Sequence, residues 1–123
     1  MAALALIVED QPLHARLFVE LLKGEGILSA TALRGREGLA MAAATEPDLI
    51  IVDVLLPDID GRDVIAHLRR HPQTAETPIL AITASTERGV EDACLAAGAS
   101  KFLCKPVKVK DFSLAVAALI GRI

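Results

Sequence analysis

The sequence predicts an α/β protein built on a doubly wound, five-stranded parallel sheet of order 2-1-3-4-5. Three observations support this. Five short apolar runs alternate with five longer stretches of helical period. Several of the apolar runs are continuous rather than alternating, as in strands covered on both faces. The chain has 123 residues, enough for one domain, here residues 1–123. Right-handed crossovers leave few ways to join such units. Strand order itself is not readable from periodicity; 2-1-3-4-5 is the order expected at this size.

The elements follow in sequence. Leu4-Ala-Leu-Ile-Val8 is the first strand. Pro12 suits the first turn of a helix carrying Leu13, Leu17, Phe18, Leu21 and Leu22, which Gly24 and Gly26 end. The ridge Leu13, Leu17, Leu21 reads as core. Residues 27–33 form a weaker second strand, and Leu39, Ala40 and Ala43 mark a second helix stopped by Pro47. Leu49-Ile-Ile-Val52 is the third strand, closed by Asp53, with Pro57 and Gly61 punctuating the loop after it. Val64, Ile65 and Leu68 face one side of a third helix that closes before Pro72. Residues 78–82 make the fourth strand. Val90, Ala93, Cys94 and Ala97 lie on a fourth helix capped by Gly98. Lys101-Phe-Leu-Cys104 is the fifth strand, and Asp111 caps a last helix with Phe112, Ala115, Val116 and Leu119.

Composition excludes several classes. Hydrophobic residues make up 53% of the chain and charged ones 24%, which argues against disorder. Thirteen Lys and Arg against sixteen Asp and Glu leave a net charge of −3, without the basic footprint of nucleic-acid binding. Three phenylalanines are too few for a base-stacking platform. No apolar run reaches the roughly 18 residues of a membrane span, and the N-terminus lacks the basic region of a signal peptide. Cys94 and Cys104 form no CxxC, which fits a cytoplasmic protein and small core-filling thiols.

In such a sheet, ligands bind beyond the carboxyl ends of the strands, where strand order reverses. The residues there are Glu9, Asp10, Asp53, Thr83 and Lys105, each a polar residue that closes an apolar run. Three crowded carboxylates repel one another, so either some take up protons or a cation neutralises them. An oxygen-only set with no His or Cys favours a hard ion, Mg2+ over Zn2+. Residues 46–63 hold six acids and one base, a local balance of −5. Lys105 adds a point charge and Thr83 a hydroxyl, the parts that hold a phosphoryl group. Asp53, in the middle, is the candidate acceptor. Taken singly, each of these residues also reads as a cap, loop or solvated side chain. Their joint appearance at the same strand ends favours a site. His14, His67 and His71 share no ligand spacing with the acids and read as surface residues.

The motifs Leu6-Ile-Val-Glu-Asp10, Pro47-Asp-Leu-Ile-Ile-Val-Asp53, Leu56-Pro-Asp-Ile-Asp-Gly61, Ile82-Thr-Ala84, Gly98-Ala99 and Lys105-Pro106 span essentially the whole chain. In combination they resemble the receiver domain of bacterial response regulators, and within it the small single-domain receivers of the DivK type. The resemblance implies the flavodoxin-like (βα)5, CheY-like receiver fold and a role in two-component signal transduction. It implies that Asp53 accepts a phosphoryl group from a sensor histidine kinase or a histidine phosphotransfer protein. By the same resemblance Glu9, Asp10, Asp53 and the Leu55 backbone carbonyl hold Mg2+, Lys105 pairs with the phosphate, and Thr83 turns inward to it. Phe102 matches the aromatic switch, and Lys105-Pro106 the family's cis peptide. Leu55 and Ser85 occupy places associated with acyl-phosphate lifetime.

A small contact at the phosphoryl group would then shift a two-state equilibrium and change binding to a downstream protein. The expected readout face is the fourth helix, fifth strand and fifth helix, with Lys101, Phe102, Lys108 and Lys110. Residues 101–123 carry five bases, Arg122 among them, against Asp111, a balance of +4. The chain is thus read as a switch rather than an enzyme turning over an external substrate, with no output domain of its own. A phosphorelay shuttle and a receiver cut from a larger regulator are the alternatives. A phosphatase working through an aspartyl phosphate is disfavoured, because the place of its general acid is taken by Leu55.

Overall fold

The computed structural model describes residues 2–121. Its strands are β1 (Leu4–Val8), β2 (Leu28–Ala32), β3 (Leu49–Asp53), β4 (Ile79–Thr83) and β5 (Lys101–Cys104). The helices are α1 (Pro12–Gly24), α2 (Gly35–Thr45), α3 (Gly61–Arg70), α4 (Val90–Ala97) and α5 (Val109–Leu119). All pairings are parallel and the order is β2-β1-β3-β4-β5, as expected.

Side chains alternate across each strand, so every central strand feeds two cores. Leu6, Val8, Ile50, Val52, Ile79 and Ala81 meet Ala42, Val64, Ile65, Leu68 and Cys94 of α2, α3 and α4. Ala5, Ile7, Leu49, Ile51, Leu80 and Ile82 meet Ala15, Phe18, Leu22, Phe112 and Val116 of α1 and α5. Phe18 stacks on Phe112 with ring centroids 5.3 Å apart, and this contact joins the two helices of that face.

Several expectations are corrected. The buried face of α1 is Ala15, Phe18 and Leu22, while Leu13 is 81% exposed and Leu17 46%. Leu13 and Leu17 therefore face solvent rather than the core, while Leu21, half-buried, packs against it. The second strand begins at Leu28, because the Ile27 amide is bound back to the last turn of α1 rather than to a neighbouring strand. Gly26, at φ 75°, lets its own amide reach Lys23 O and the Ile27 amide reach Leu22 O, with Ile27 and Leu22 both in the core. The fourth strand starts one residue after Pro78, although the Pro78 carbonyl still accepts from Ile50 N–H. The last helix is entered at Lys108, so Asp111 lies in its first turn and is not its cap. Cys94 is buried as expected, and burial pushes its thiol pKa up, but Cys104 is exposed on the edge strand. Arg122 lies outside the described residues.

Candidate functional site

The carboxyl ends of β1 and β3 lie side by side, since Val8 pairs with Val52. The alternation that sends Ile7 and Ile51 toward α1 and α5 sends Glu9 and Asp53 the same way, Glu9 one residue past β1 and Asp53 at the last position of β3. Glu9 and Asp53 are 1% and 4% exposed. One carboxylate oxygen from each of Glu9, Asp10 and Asp53 lies within 4.8 Å of the other two. Among the described residues this is the one cluster of three or more His, Cys, Asp or Glu side chains so arranged.

Lys105 enters from the loop after β5. Its Nζ donates to Glu9 Oε1 at 2.5 Å and to Asp53 Oδ2 at 3.0 Å. Burial opposes its charge, but Glu9 and Asp53 outweigh that cost and raise its pKa. Glu9 is pushed the other way from an ordinary acid. Desolvation, offset in part by Lys105 and reinforced by Asp53, lifts its pKa from 4.5 to about 7. Burial first, and the neighbouring Asp53 second, thus hold this carboxyl group near the edge of protonation. Asp53 Oδ1 accepts from the Leu55 amide at 3.0 Å, which fixes the carboxylate over the turn after β3. Lys105–Pro106 is cis, as the resemblance implied.

Gly61 controls the approach of α3 to this turn. A Cβ there would lie 2.5 Å from the Asp53 carbonyl oxygen and 2.5 Å from Val54 Cα. The Gly61 amide donates to Val54 O at 2.9 Å, so the helix start and the β3 end are joined by backbone.

Two expected residues stand apart from the carboxylates. Thr83, fully buried, holds the Ser85 amide with its Oγ1 at 3.0 Å. Its neighbour Ile82 faces α1 and α5, so Thr83 faces the α3–α4 side of the sheet end. Phe102 is half-buried against the α4-side core and pairs with Ala81. Leu55 is 53% exposed at the mouth.

The run of acids in residues 46–63 is largely consumed by the backbone. Asp48 Oδ2 accepts from Leu4 N–H at 2.8 Å. Asp58 receives the Gly35 and Arg36 amides at 2.8 and 3.0 Å and so holds the start of α2. Asp60 caps α3 through Arg62 N–H and pairs with the Arg62 guanidinium at 2.7 Å. Only Asp53 of this run joins the cluster. His14 was the residue that sequence reasoning missed: its Nδ1 lies 3.0 Å from Lys105 Nζ and 3.8 Å from Glu9 Oε1. The one signal was position, a single helical turn after Asp10 on a helix whose start borders the site.

Oxygen donors alone, a buried acid with a raised pKa and a lone ammonium make a site short of positive charge. That donor chemistry fits a hard divalent cation such as Mg2+. The arrangement defines a class: a buried aspartate at the switch point of a parallel sheet, in an acidic cluster that fits a cation and beside a lysine. The response regulator receiver domain family model matches residues 5–117. The chain is 40% identical over 107 residues to the response regulator PleD of Caulobacter vibrioides, covering 87% of this chain but 24% of PleD. It is 30% identical over 121 residues to the polar-differentiation response regulator DivK of Brucella ovis, covering 98% of each. The chain therefore spans about a quarter of one such relative and nearly all of the other.

A crystal structure of a Chloroflexus aurantiacus protein described as a response regulator superposes with TM-score 0.93 at 34% identity, covering 99% of this chain and 100% of that one. The receiver domain of a Pseudomonas aeruginosa sensor histidine kinase, with a magnesium ion coordinated in its active-site cleft, superposes with TM-score 0.90 at 27% identity, covering 98% and 99%. This chain belongs to the response regulator receiver domain family, the phospho-accepting signalling module of two-component systems. Among the described residues no helix is long and apolar enough to cross a membrane.

Proposed function

We propose that this chain is a single-domain switch, residues 1–123, in which Asp53 takes a phosphoryl group from the phosphohistidine of a sensor kinase or a histidine phosphotransfer protein. The observation that carries this is the convergence of Glu9, Asp10, Asp53 and Lys105, from three separate strand ends, within hydrogen-bond and ligand distance of one another. Glu9, Asp10, Asp53 and the Leu55 backbone carbonyl would hold Mg2+, whose charge offsets that on the transferring phosphoryl oxygens. A carboxylate oxygen of Asp53 attacks phosphorus. The P–N bond to the donor imidazole breaks, and the ring nitrogen leaves with the electron pair. Lys105, already bonded to Asp53, stays beside the new anion. Thr83, one step across the sheet end, supplies its O–H to a phosphoryl oxygen while Oγ1 keeps the Ser85 amide.

The product is an acyl phosphate on the protein itself, with no external substrate turned over. Movement of Thr83 would then alter the space beside Phe102 and so the face formed by α4, β5 and α5. That face carries a groove of about 450 Å3 lined by Glu91, Leu95, Lys101, Phe102, Asp111 and Leu114. Exposed Leu95 and Leu114 and two acids make it mixed in character, rather than the simply basic surface expected from its lysines. A cytoplasmic place follows from the kinase partner.

The test is incubation with Mg2+ and acetyl phosphate followed by intact mass. One added phosphoryl group is expected, lost in Asp53→Asn. Equal incorporation in that variant removes Asp53 from its role.

A further inference from the structure

Lys105 has three N–H donors, and each has an acceptor. Two are carboxylates, Glu9 Oε1 at 2.5 Å and Asp53 Oδ2 at 3.0 Å. The third is His14 Nδ1 at 3.0 Å. An ammonium group only donates, so Nδ1 is the accepting nitrogen and the ring proton sits on Nε2. The ring stands at the rim, 43% exposed, while the Lys105 side chain is 10% exposed.

The three acceptors differ in what the proposed reaction asks of them. Asp53 becomes the acyl phosphate, and Glu9 belongs to the cation site. Both carboxylate partners of Lys105 are therefore called to other bonds during the transfer. His14 belongs to neither group, and it comes from α1, fixed at its buried face by Ala15 and Phe18. Its acceptor is also uncharged. A fourth carboxylate there would anchor the ammonium equally well but would add to a cluster already short of positive charge. An imidazole nitrogen gives direction to Lys105 without weakening its field at the phosphoryl group.

We propose that His14 is a positioning residue, its Nδ1 holding the Lys105 ammonium in place while Glu9 and Asp53 exchange partners; this rests on the receiver reading above. Nothing in the reaction requires the ring to touch the transferring group.

The test uses the full chain and three variants. Asparagine places an acceptor where Nδ1 lies, glutamine places one about a bond further out, and alanine places none. With Mg2+ and acetyl phosphate, His14→Ala should lower the saturating rate of phosphoryl uptake about tenfold, the usual effect of losing one hydrogen bond to a charged group. His14→Asn should recover to within about threefold of the natural chain, and His14→Gln should resemble alanine. The second readout is the Lys105 15Nζ ammonium resonance, which three acceptors protect from exchange. It should persist in the natural chain and in His14→Asn and vanish in His14→Ala.

A packing role for the ring would impair asparagine and alanine alike, and that result overturns the proposal. So does an unchanged rate and resonance in His14→Ala. Failure of the natural chain to take up a phosphoryl group would count against the receiver reading. The ammonium resonance still decides the His14–Lys105 bond in that case.

Discussion

Glu9→Gln isolates the electrostatic tension of the site. In the folded chain the Glu9 pKa stands near 7, against 4.5 without burial. Between these values the folded state binds more protons than the unfolded one, so stability falls as pH rises through that window. Above it the whole penalty applies; below about pH 4.5 none does. At about 1.4 kcal/mol for each pH unit of displacement, the ceiling is about 3 kcal/mol. Glutamine keeps the shape and carries no such charge.

The stability of Glu9→Gln relative to the natural chain should therefore rise by about 2–3 kcal/mol between about pH 5 and pH 8. In thermal melts that is a relative shift of roughly 10 °C for a chain of this size. The raised pKa of Lys105 adds stability that is lost only above its ordinary value of 10.5, outside this window. Saturating Mg2+ should flatten the pH slope of the natural chain, because a cation favours the charged carboxylate, and should act weakly on Glu9→Gln. Parallel pH profiles for the two proteins without Mg2+ would refute the assignment of strain to Glu9.

Two further outcomes are expected. Gly61→Ala forces a Cβ against the Asp53 carbonyl and Val54 Cα, both at 2.5 Å, and backbone cannot rotate aside; denaturant titration should show a loss of about 1–3 kcal/mol, with slower phosphoryl uptake as the β3 end is displaced. Lys105→Ala should still accept some phosphoryl group from acetyl phosphate, measured by mass, but should show no phosphorylation-dependent shift of the Phe102 resonances by NMR. Normal shifts in that variant would remove Lys105 from the coupling.

The strands were legible because burial on both faces leaves a continuous apolar run. Leu49 to Val52 and Ile79 to Ile82 are each at most 1% exposed. The site was legible for the same reason, since the first polar residue after such a run marks the sheet edge. The phase of α1 was not. Leu13, Leu17 and Leu21 outweigh Ala15 in hydrophobic count, yet the stacking of Phe18 on Phe112 decides which face turns inward. That contact joins residues 94 apart in sequence. His14 was hidden likewise, because its partner Lys105 lies 91 residues away. The capping roles of Asp58 and Asp60 were masked by a charge count that treats every acid in a run alike.

The sheet itself separates the proposed acceptor from the proposed switch residues. Glu9, Asp53, Lys105 and His14 gather toward α1, whereas Thr83 and Phe102 belong to the side of α3 and α4. Three carboxyl groups face one ammonium, and Glu9 is already held at the edge of protonation, so a further anion is unwelcome until a divalent cation binds. On the proposed reading, phosphoryl transfer to Asp53 would thereby wait on the cation. On the proposed reading, a phosphoryl group on Asp53 would offer an acceptor to the Thr83 O–H, whose oxygen already accepts from the Ser85 amide. A phosphoryl group on one face would then be sensed on the other through the Thr83 hydroxyl at the sheet edge. A coupling of about 1–3 kcal/mol through that bond suffices to change affinity at the α4–β5–α5 groove by roughly 5- to 150-fold.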